Sequence, residues 1–314
     1  RVPEAVRPDL NEGAQRRVRH PAGVELRFVP DPDEAVELTL SIDPKRDAQT
    51  STARVFWGPF QERVEHEVGS GPTTFSVSMP EKLRGIDPEV RAALRFDPRV
   101  CRVTLPGEHR GGYVYYHDAT GPRRPPEPDE LPDETYLAYG TSITEGEAAL
   151  GEHLTYVGQT ARRLDADLIN LGSCGTAYCD EAMAEHVASR DDWDVATLAL
   201  SVNMVGTFSA EEFRERAANM ANTVAGENPD RPVAAITIYP HTPDLHGDGD
   251  GEATRFREEL REAVAESPHD NLHLVEGADV LTEVGGLTTD LVHPGDDAMV
   301  DMAEHLAAEL DELR

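Results

Sequence analysis

The feature that most constrains the fold of this chain is a change of pattern near residue 134. From there to the end, short apolar segments with β-branched residues alternate with stretches of helical apolar spacing. The predicted strands are residues 136–139, 167–171, 195–200, 233–239 and 272–275, and the predicted helices are residues 153–164, 180–189, 209–226, 252–266 and 296–312. Strands joined by crossover helices form a parallel sheet. The pattern predicts an α/β domain over residues 134–314, with a doubly wound parallel sheet of five strands.

Residues 1–120 show a different pattern of short, often alternating strands separated by Pro, Gly and Asp. The predicted strands are residues 24–29, 36–42, 53–57, 74–78, 101–105 and 113–116, with one short helix at residues 88–94. Such a series is typical of an antiparallel β-sandwich, here of jelly-roll type. Residues 121–133 are rich in proline and predict an extended, stiffened linker.

The charge of the chain is strongly negative. Sixty acidic residues face 29 basic ones, and Lys45 and Lys82 are the only lysines. The acids are spread along the whole chain, which indicates a solvated acidic surface whose self-repulsion is screened in strong salt. We interpret this as a halophilic adaptation to a salt-rich cytoplasm. An acidic surface repels nucleic acid and anionic membranes, so we expect neither as a partner.

The cysteines and the amino terminus bear on the cellular compartment. Cys101, Cys174 and Cys179 are too few and too irregularly spaced for a disulfide framework or a zinc site. We expect reduced thiols, with a Cys174–Cys179 bridge as the alternative. No apolar run has the length of a membrane span, and the first residues lack the apolar region of a secretory signal. We expect a soluble cytoplasmic protein; because the chain does not begin with Met, removal of a leader before Arg1 is the alternative. The pattern does not indicate an oligomeric state.

A candidate nucleophile follows the first predicted strand of the α/β domain. Ser142 lies in a tight turn between Gly140 and Gly146, and glycines there permit unusual dihedral angles that free a hydroxyl. The alternative is that Ser142 or Thr141 merely caps a helix. The turn is not the Gly-x-Ser-x-Gly elbow of α/β-hydrolases, because position 144 is Thr.

Candidate oxyanion donors follow the second and third predicted strands. Gly172 and Gly175 flank a turn whose backbone N–H groups can point at an oxyanion, although both are also ordinary turn residues. Asn203 comes after the apolar run 196–200, and an amide donor at such a place contributes a factor of about 10²–10³ in rate. The alternative for Asn203 is a turn residue.

A candidate base and its orienting acid precede the last predicted helix. Asp290 and His293 lie three residues apart, directly before Pro294, which fits the first turn of a helix. Asp290 can orient His293, and His293 can deprotonate Ser142. Among the twelve histidines, His241 follows the fourth predicted strand and is a second candidate, for substrate contact.

These stretches together resemble the four sequence blocks of the SGNH hydrolases, also called the GDSL-type esterase and lipase superfamily. Residues 140–146 are similar to the first block, with Ser142 at the place of the nucleophile. Residues 170–175 are similar to the second block, in which Gly175 matches the oxyanion glycine better than Gly172 does. Residues 290–293 match the Asp-x-x-His of the last block.

The chain departs from the superfamily pattern at several positions. Thr141 and Ile143 stand where the first block usually has Asp and Leu. In the third block, Ser201 and Met204 replace the usual Gly and Asp, whereas Asn203 keeps the functional position.

The resemblance covers residues 134–314, and residues 1–120 with the linker are similar to the amino-terminal modules of a two-domain subgroup. It implies the flavodoxin-like SGNH fold and a serine esterase that acts on a small O-acyl ester, with acetyl on a carbohydrate preferred. In that reaction Ser142, His293 and Asp290 would be catalytic, Gly175 and Asn203 would bind the oxyanion, and no metal or organic cofactor would be needed. The alternatives are a thioesterase or lipase of the same superfamily and a non-catalytic carbohydrate-binding protein.

Overall fold

The computed structural model describes residues 1–43, 50–105, 112–247 and 251–314, which form two compact units. The α/β unit comprises Arg1–Arg19, Thr135–Leu164 and Leu168–Arg314, and the β unit comprises His20–Glu134 with Asp165–Asp167. The sequence pattern places residues 1–120 in the β domain. The structure instead assigns the first nineteen of them to the α/β unit. Lys45 and His109 lie outside the described residues.

Residues 1–19 contribute to the α/β core although the sequence separates them from it. They contain a 3-10 turn, Arg7–Asp9, and helix α1, Glu12–Arg17. Leu10, Ala14 and Val18 recur every four residues and are buried in the core of the α/β unit. Asn11 caps the helix by accepting from the Ala14 N–H at 3.0 Å, and its amide donates to Asp180 at 2.7 Å.

In its described residues, the β unit contains antiparallel strands, two short α-helices and a 3-10 helix. Its strands are β1 (Glu25–Pro30), β2 (Val36–Asp43), β3 (Thr50–Trp57), β4 (Phe60–Gly69), β5 (Thr73–Val77), β6 (Cys101–Thr104), β7 (Tyr113–Thr120) and β8 (Arg123–Arg124). Its helices are α2 (Glu81–Arg84) and α3 (Pro88–Ala92). The strands form one sheet in the order β4-β3-β6-β1-β8 and another in the order β5-β2-β7. Leu38 and Leu40 of β2 lie in one core with Val55, Trp57 and Val103 of the larger sheet, so the predicted β-sandwich is confirmed.

Two parts of the β unit differ from the sequence prediction. Strand β4 was not predicted, because it is an edge strand whose residues are mostly exposed and charged. Residues 121–133 were predicted to form an extended linker, but they contain β8, which pairs with Val29 and Pro30, and a 3-10 helix, Pro128–Glu130. Glu130 is 3% exposed and accepts two hydrogen bonds from the guanidinium of Arg124 at 2.6 and 2.7 Å, which fixes this segment.

The α/β unit contains the predicted five-stranded sheet. Its strands are β9 (Thr135–Gly140), β10 (Asp167–Gly172), β11 (Val195–Ala199), β12 (Val233–Ile236) and β13 (Leu272–Val275). The further helices are α4 (Ser142–Glu145), α5 (Tyr156–Arg163), α6 (Glu181–Ala188), α7 (Ala210–Glu227), α8 (Thr242–Leu245), α9 (Glu252–Ala265), α10 (Gly277–Val280) and α11 (Asp296–Asp311). Short 3-10 helices span Glu152–Leu154, Val202–Met204 and Val284–Gly286.

The order of the parallel sheet determines where a site can form. The strands lie in the order β10-β9-β11-β12-β13. Strand β10 therefore lies on one side of β9, and β11 and the later strands lie on the other side. Ligands of doubly wound sheets bind beyond the carboxyl ends of the strands at this switch point. Ser142, Gly175 and Asn203, which the sequence analysis selected as candidate site residues, follow β9, β10 and β11 in this order.

Two observations concern the cysteines and the membrane. None of the three cysteines is in a disulfide, and burial raises the pKa of the Cys179 thiol to about 12, so this thiol is protonated at neutral pH. Within the described part of the chain, none of the helices combines the length and the apolar character that a membrane crossing requires.

Candidate active site

The nucleophile turn, residues 140–146, places Ser142 directly after β9 as the first residue of α4. A Cβ at Gly140 would lie 2.2 Å from the Thr144 hydroxyl, so a larger residue would push this turn away from the strand. Gly146 ends the turn in the left-handed region, at φ 106°, which glycine adopts at low cost. The sequence therefore folds the chain back at once after the strand and presents Ser142 at its end.

The structure brings Ser142 together with the predicted base and acid. The Ser142 Oγ lies 2.8 Å from His293 Nε2, and His293 Nδ1 lies 2.7 Å from Asp290 Oδ2. His241, the second candidate, has no such contact: its Nδ1 lies 3.2 Å from the Tyr239 carbonyl oxygen and 3.3 Å from an Asp244 carboxylate oxygen.

Asp290 is held as an acceptor by its own loop. Partial burial acts to raise the pKa of Asp290, but the hydrogen bonds that it accepts hold this pKa well below its usual range. They come from the His293 N–H at 3.0 Å, the His293 ring, the Val292 N–H at 2.9 Å and the Thr288 hydroxyl at 2.9 Å. An ionised Asp290 keeps the proton of a neutral His293 ring on Nδ1. His293 Nε2 is then the acceptor that faces the Ser142 hydroxyl.

The histidine loop, residues 286–295, has a strained centre. Leu291 adopts a left-handed conformation at φ 58°, which costs a residue with a side chain about 1–3 kcal/mol. The Thr288 N–H donates to the His293 carbonyl at 2.8 Å and the Gly295 N–H to the Gly286 carbonyl at 2.9 Å. These bonds close the loop and stabilise the turn that Leu291 makes between Asp290 and His293.

The glycine turn, residues 172–177, packs against the nucleophile turn. A Cβ at Gly172 would lie 2.2 Å from the Glu145 backbone nitrogen, so Gly172 permits a close approach of the two chains. Gly175 is different: it is exposed and left-handed, at φ 69°, with open space where a Cβ would be. Gly172 therefore has a packing role, which leaves Gly175 as the candidate oxyanion donor of this turn.

Asn203 lies in the 3-10 helix after β11. Its Oδ1 accepts from the Ala177 N–H at 3.2 Å, which leaves the amide NH₂ as a donor. Ser201, which stands where the superfamily usually has glycine, is 1% exposed and donates to the Ala177 carbonyl at 2.6 Å. Ser201 and Asn203 thus attach the end of the glycine turn to the end of β11.

Glu145 is a site residue that the sequence analysis missed. It is fully buried, and its Oε2 accepts from the Cys174 N–H at 2.6 Å, one residue before Gly175. The Ser173 N–H donates to the Gly140 carbonyl at 2.8 Å, and the Asn170 amide donates to the Thr144 carbonyl at 2.9 Å. The nucleophile turn and the glycine turn are thereby one hydrogen-bonded structure. An acidic residue inside a turn that is otherwise glycine, small and apolar was the available signal.

The half-buried Arg1 lies beside this pair of turns. Arg1 donates from Nε to the Asn170 carbonyl at 2.8 Å and also to the Gly172 carbonyl. Burial lowers the pKa of Arg1, and the charges of Glu145 and Glu152 act to raise it. The positive charge of Arg1 therefore partly compensates the negative charge of the buried Glu145.

Comparison with known proteins gives one family and several similar folds. Residues 134–311 match the GDSL-like Lipase/Acylhydrolase family. None of the curated proteins matches the chain significantly.

Three solved structures illustrate the similar folds, and at these identities the likeness concerns the fold alone. A Bacteroides ovatus protein described as a GDSL-like lipase is 18% identical, with a TM-score of 0.74 over 98% of this chain and 90% of that chain. The salicylyl-acyltransferase SsfX3 of a tetracycline biosynthetic pathway is 15% identical, with a TM-score of 0.73 over 99% and 88%. A family two carbohydrate esterase from Clostridium thermocellum, in complex with cellohexaose, is 17% identical, with a TM-score of 0.59 over 92% and 91%.

Proposed function

Because the chain belongs to the GDSL-like lipase/acylhydrolase family of SGNH hydrolases and is a carboxylic ester hydrolase, we propose that it removes a small O-acyl group, acetyl first of all, from a carbohydrate. The observation that carries this proposal is the chain of short contacts from Ser142 through His293 to Asp290. A hydroxyl, an imidazole and a carboxylate in this order are the parts of a serine hydrolase.

In the first half of the reaction, the Ser142 oxygen attacks the ester carbonyl carbon while its proton moves to His293 Nε2. The carbonyl oxygen becomes an oxyanion, which the N–H groups of Ser142 and Gly175 and the amide of Asn203 stabilise. When the carbonyl re-forms, the bond to the leaving oxygen breaks. His293 gives its proton to that oxygen, so a neutral alcohol leaves and Ser142 carries the acyl group.

In the second half, water replaces the alcohol. His293 takes a proton from the water as its oxygen attacks the acyl carbon, and the same donors bind the second oxyanion. Collapse of this intermediate breaks the bond to Ser142 and returns the proton from His293 to the Ser142 oxygen. The acid product leaves, and Asp290 holds the ring of His293 in one orientation throughout.

Support for a carbohydrate ester is structural analogy. The two-unit architecture is similar to that of a family two carbohydrate esterase, whose structure contains cellohexaose. Fold likeness alone does not assign a substrate. The carbohydrate part of the proposal therefore rests on the experiment below.

The experiment is a substrate panel in molar KCl. Acetylated mono- and oligosaccharides are compared with nitrophenyl esters of rising chain length and with acyl thioesters, using wild type, Ser142→Ala and the control Ser189→Ala. Ser189 donates from its hydroxyl to the His186 carbonyl at the end of α6, away from the candidate site. We expect release of acetate from the sugars by wild type and Ser189→Ala, and its loss in Ser142→Ala.

A fluorophosphonate label adds a test that needs no substrate. Mass spectrometry should place the adduct on Ser142. Faster turnover of thioesters or long-chain esters would favour the thioesterase or lipase alternative. Sugar binding without hydrolysis and without labelling would favour the non-catalytic one.

A further inference from the structure

A small hollow opens beside the candidate nucleophile at the carboxyl ends of β9, β11 and β12. Its lining includes Thr141 and Ile143, which flank Ser142, and Val292, which precedes His293. Ala199, Val202 and His241 are also among its lining residues. The hollow thus lies against the turn that carries Ser142 and against the loop that carries His293.

The interior of the hollow is small. The hollow takes up about 290 Å³ when the open mouth is included, yet its interior has room for only one water-sized group. Ile143 and Ala199 are 2% and 5% exposed, so the inner wall belongs to the packed core and resists displacement. A methyl group fits such a space, and each further methylene must displace a wall residue.

His241 forms a wall of this hollow and is fixed in place. The ring is 6% exposed, and two acceptors beside Nδ1, the Tyr239 carbonyl and the Asp244 carboxylate, favour the tautomer with the proton on that atom. Arg257 donates to both Asp244 oxygens at 2.8 Å, so the acceptor is itself held. Burial lowers the pKa of His241, which keeps the ring uncharged at neutral pH. A neutral, immobile ring is a suitable wall for an apolar group.

We propose that this hollow is the acyl subsite, that it accepts the methyl of an acetyl group, and that His241 and Val202 set the limit on acyl length. The proposal rests on the proposed esterase function and adds its specificity determinants. A small hollow suits the acyl end of the ester, since the alcohol end, when it is a sugar, must continue into solvent. His241 is therefore a specificity residue and not the base, which the contact between Ser142 and His293 identifies.

The test is the chain-length preference of variants that widen the hollow. Nitrophenyl acetate, propionate and butyrate are compared by kcat/KM in wild type, His241→Ala and Val202→Ala. One methylene in an apolar pocket changes kcat/KM by about 10- to 200-fold, so wild type should prefer acetate to butyrate by at least about tenfold. Each variant should lower that preference by about tenfold or more, through faster butyrate turnover relative to acetate.

His305→Ala is the matched control. His305 also has its Nδ1 near a backbone carbonyl, that of Val280 at 3.1 Å, but it does not line the hollow. It should keep the wild-type ratio. If His241→Ala unfolds, as a thermal melt would show, Val202→Ala still decides, because Val202 is a half-buried residue on an independent wall.

The outcomes separate this proposal from the proposed function. Hydrolysis that depends on Ser142, with the same chain-length ratio in wild type and in both widened variants, overturns the subsite and leaves the esterase intact. A wild type that turns over butyrate as fast as acetate also overturns the subsite. Failure of wild type on every ester of the panel overturns both.

Discussion

The two halves of the candidate site are stabilised in different ways. The nucleophile turn and the glycine turn depend on buried contacts between residues far apart in sequence, with Glu145, Asn170 and Arg1 among them. The histidine loop is partly exposed and depends mainly on bonds between neighbours, such as those that Asp290 accepts. The position of the hydroxyl is therefore determined by distant parts of the α/β unit, whereas the imidazole is oriented mainly by its own loop, with one further bond from the Thr242 hydroxyl to the Leu291 carbonyl at 3.2 Å.

The largest effect should come from the contact that joins the two halves. His293→Ala should lower kcat by about 10⁴-fold or more, and adding Ser142→Ala should cost little further, since members of a catalytic unit are not additive. Steady-state kinetics on the best ester of the panel measures this, with His305→Ala as control. Turnover at the wild-type rate in His293→Ala would remove the histidine loop from the mechanism.

Asp290→Asn tests whether the histidine loop orients its own base. An amide offers NH₂ to His293 Nδ1 and favours the wrong tautomer, so kcat should fall by about 10²–10⁴-fold, less than in His293→Ala. A fall in kcat as large as that of His293→Ala would mean that no group other than Asp290 orients the His293 ring.

The same variant has a pH signature in stability. The folded-state pKa of Asp290 lies below the value of about 3.9 that Asp has in an unfolded chain. Its charge therefore stabilises the fold fully above about pH 4, and this contribution is lost as the pH falls through the folded-state pKa. Thermal melts should show a gap between wild type and Asp290→Asn that shrinks as the pH falls below 4. A gap that widens in acid would contradict the sign.

Asn203→Ala tests the donor at the end of β11. Because an oxyanion donor acts chiefly in the transition state, kcat should fall by about 10²–10³-fold while KM changes little. Asn222→Ala is a suitable control, since Asn222 donates to the Ala218 carbonyl within α7. Equal losses in kcat and in binding would make Asn203 a ground-state substrate contact.

Glu145→Gln tests the half of the site that depends on contacts between distant residues, namely the nucleophile turn and the glycine turn, and its effect should be smaller. The amide keeps the shape and can still accept from the Cys174 N–H, but it removes the charge that faces Arg1. We expect a lower melting temperature and a kcat lowered by about tenfold with little change in KM, because an uncharged acceptor holds the glycine turn less firmly than a carboxylate does. A drop in melting temperature with unchanged kcat would limit Glu145 to a structural role.

Salt should have the smallest effect on chemistry and a general effect on the fold. A net charge of −31 predicts repulsion that KCl screens, so the melting midpoint should rise by roughly 2–4 °C for each kcal/mol relieved. Sucrose at matched osmolality is the control, since it favours compact states without screening charge. A flat response to KCl would contradict the halophilic interpretation.

The sequence predicted what depends on local pattern. The strands that lead to Ser142, Gly175 and Asn203 have apolar, β-branched runs, and the sheet order then brings their ends together. Strand β4 has no such run, because an edge strand that is mostly exposed and buries only Val68 of its side chains needs little more than pairing with β3.

Contacts between distant segments were beyond the sequence pattern. Leu10, Ala14 and Val18 show helical spacing, but nothing local indicates which core they enter. Glu145 looks like a surface residue until the glycine turn, nearly thirty residues later, supplies the N–H that it accepts. The proline-rich segment 121–133 has the composition of a linker, and only the burial of Glu130 shows that it is packed.

The placement of residues 1–19 in the α/β unit has a consequence for synthesis on the ribosome. The β unit follows directly and contains its own core, so it can begin to fold as it emerges. Arg1, in contrast, can make its hydrogen bond to the Asn170 carbonyl only after 169 further residues have been synthesised. At typical elongation rates this delay is about 10–30 s. During that interval an apolar helix face has no core to enter, which gives a chaperone that binds nascent chains a defined window at α1.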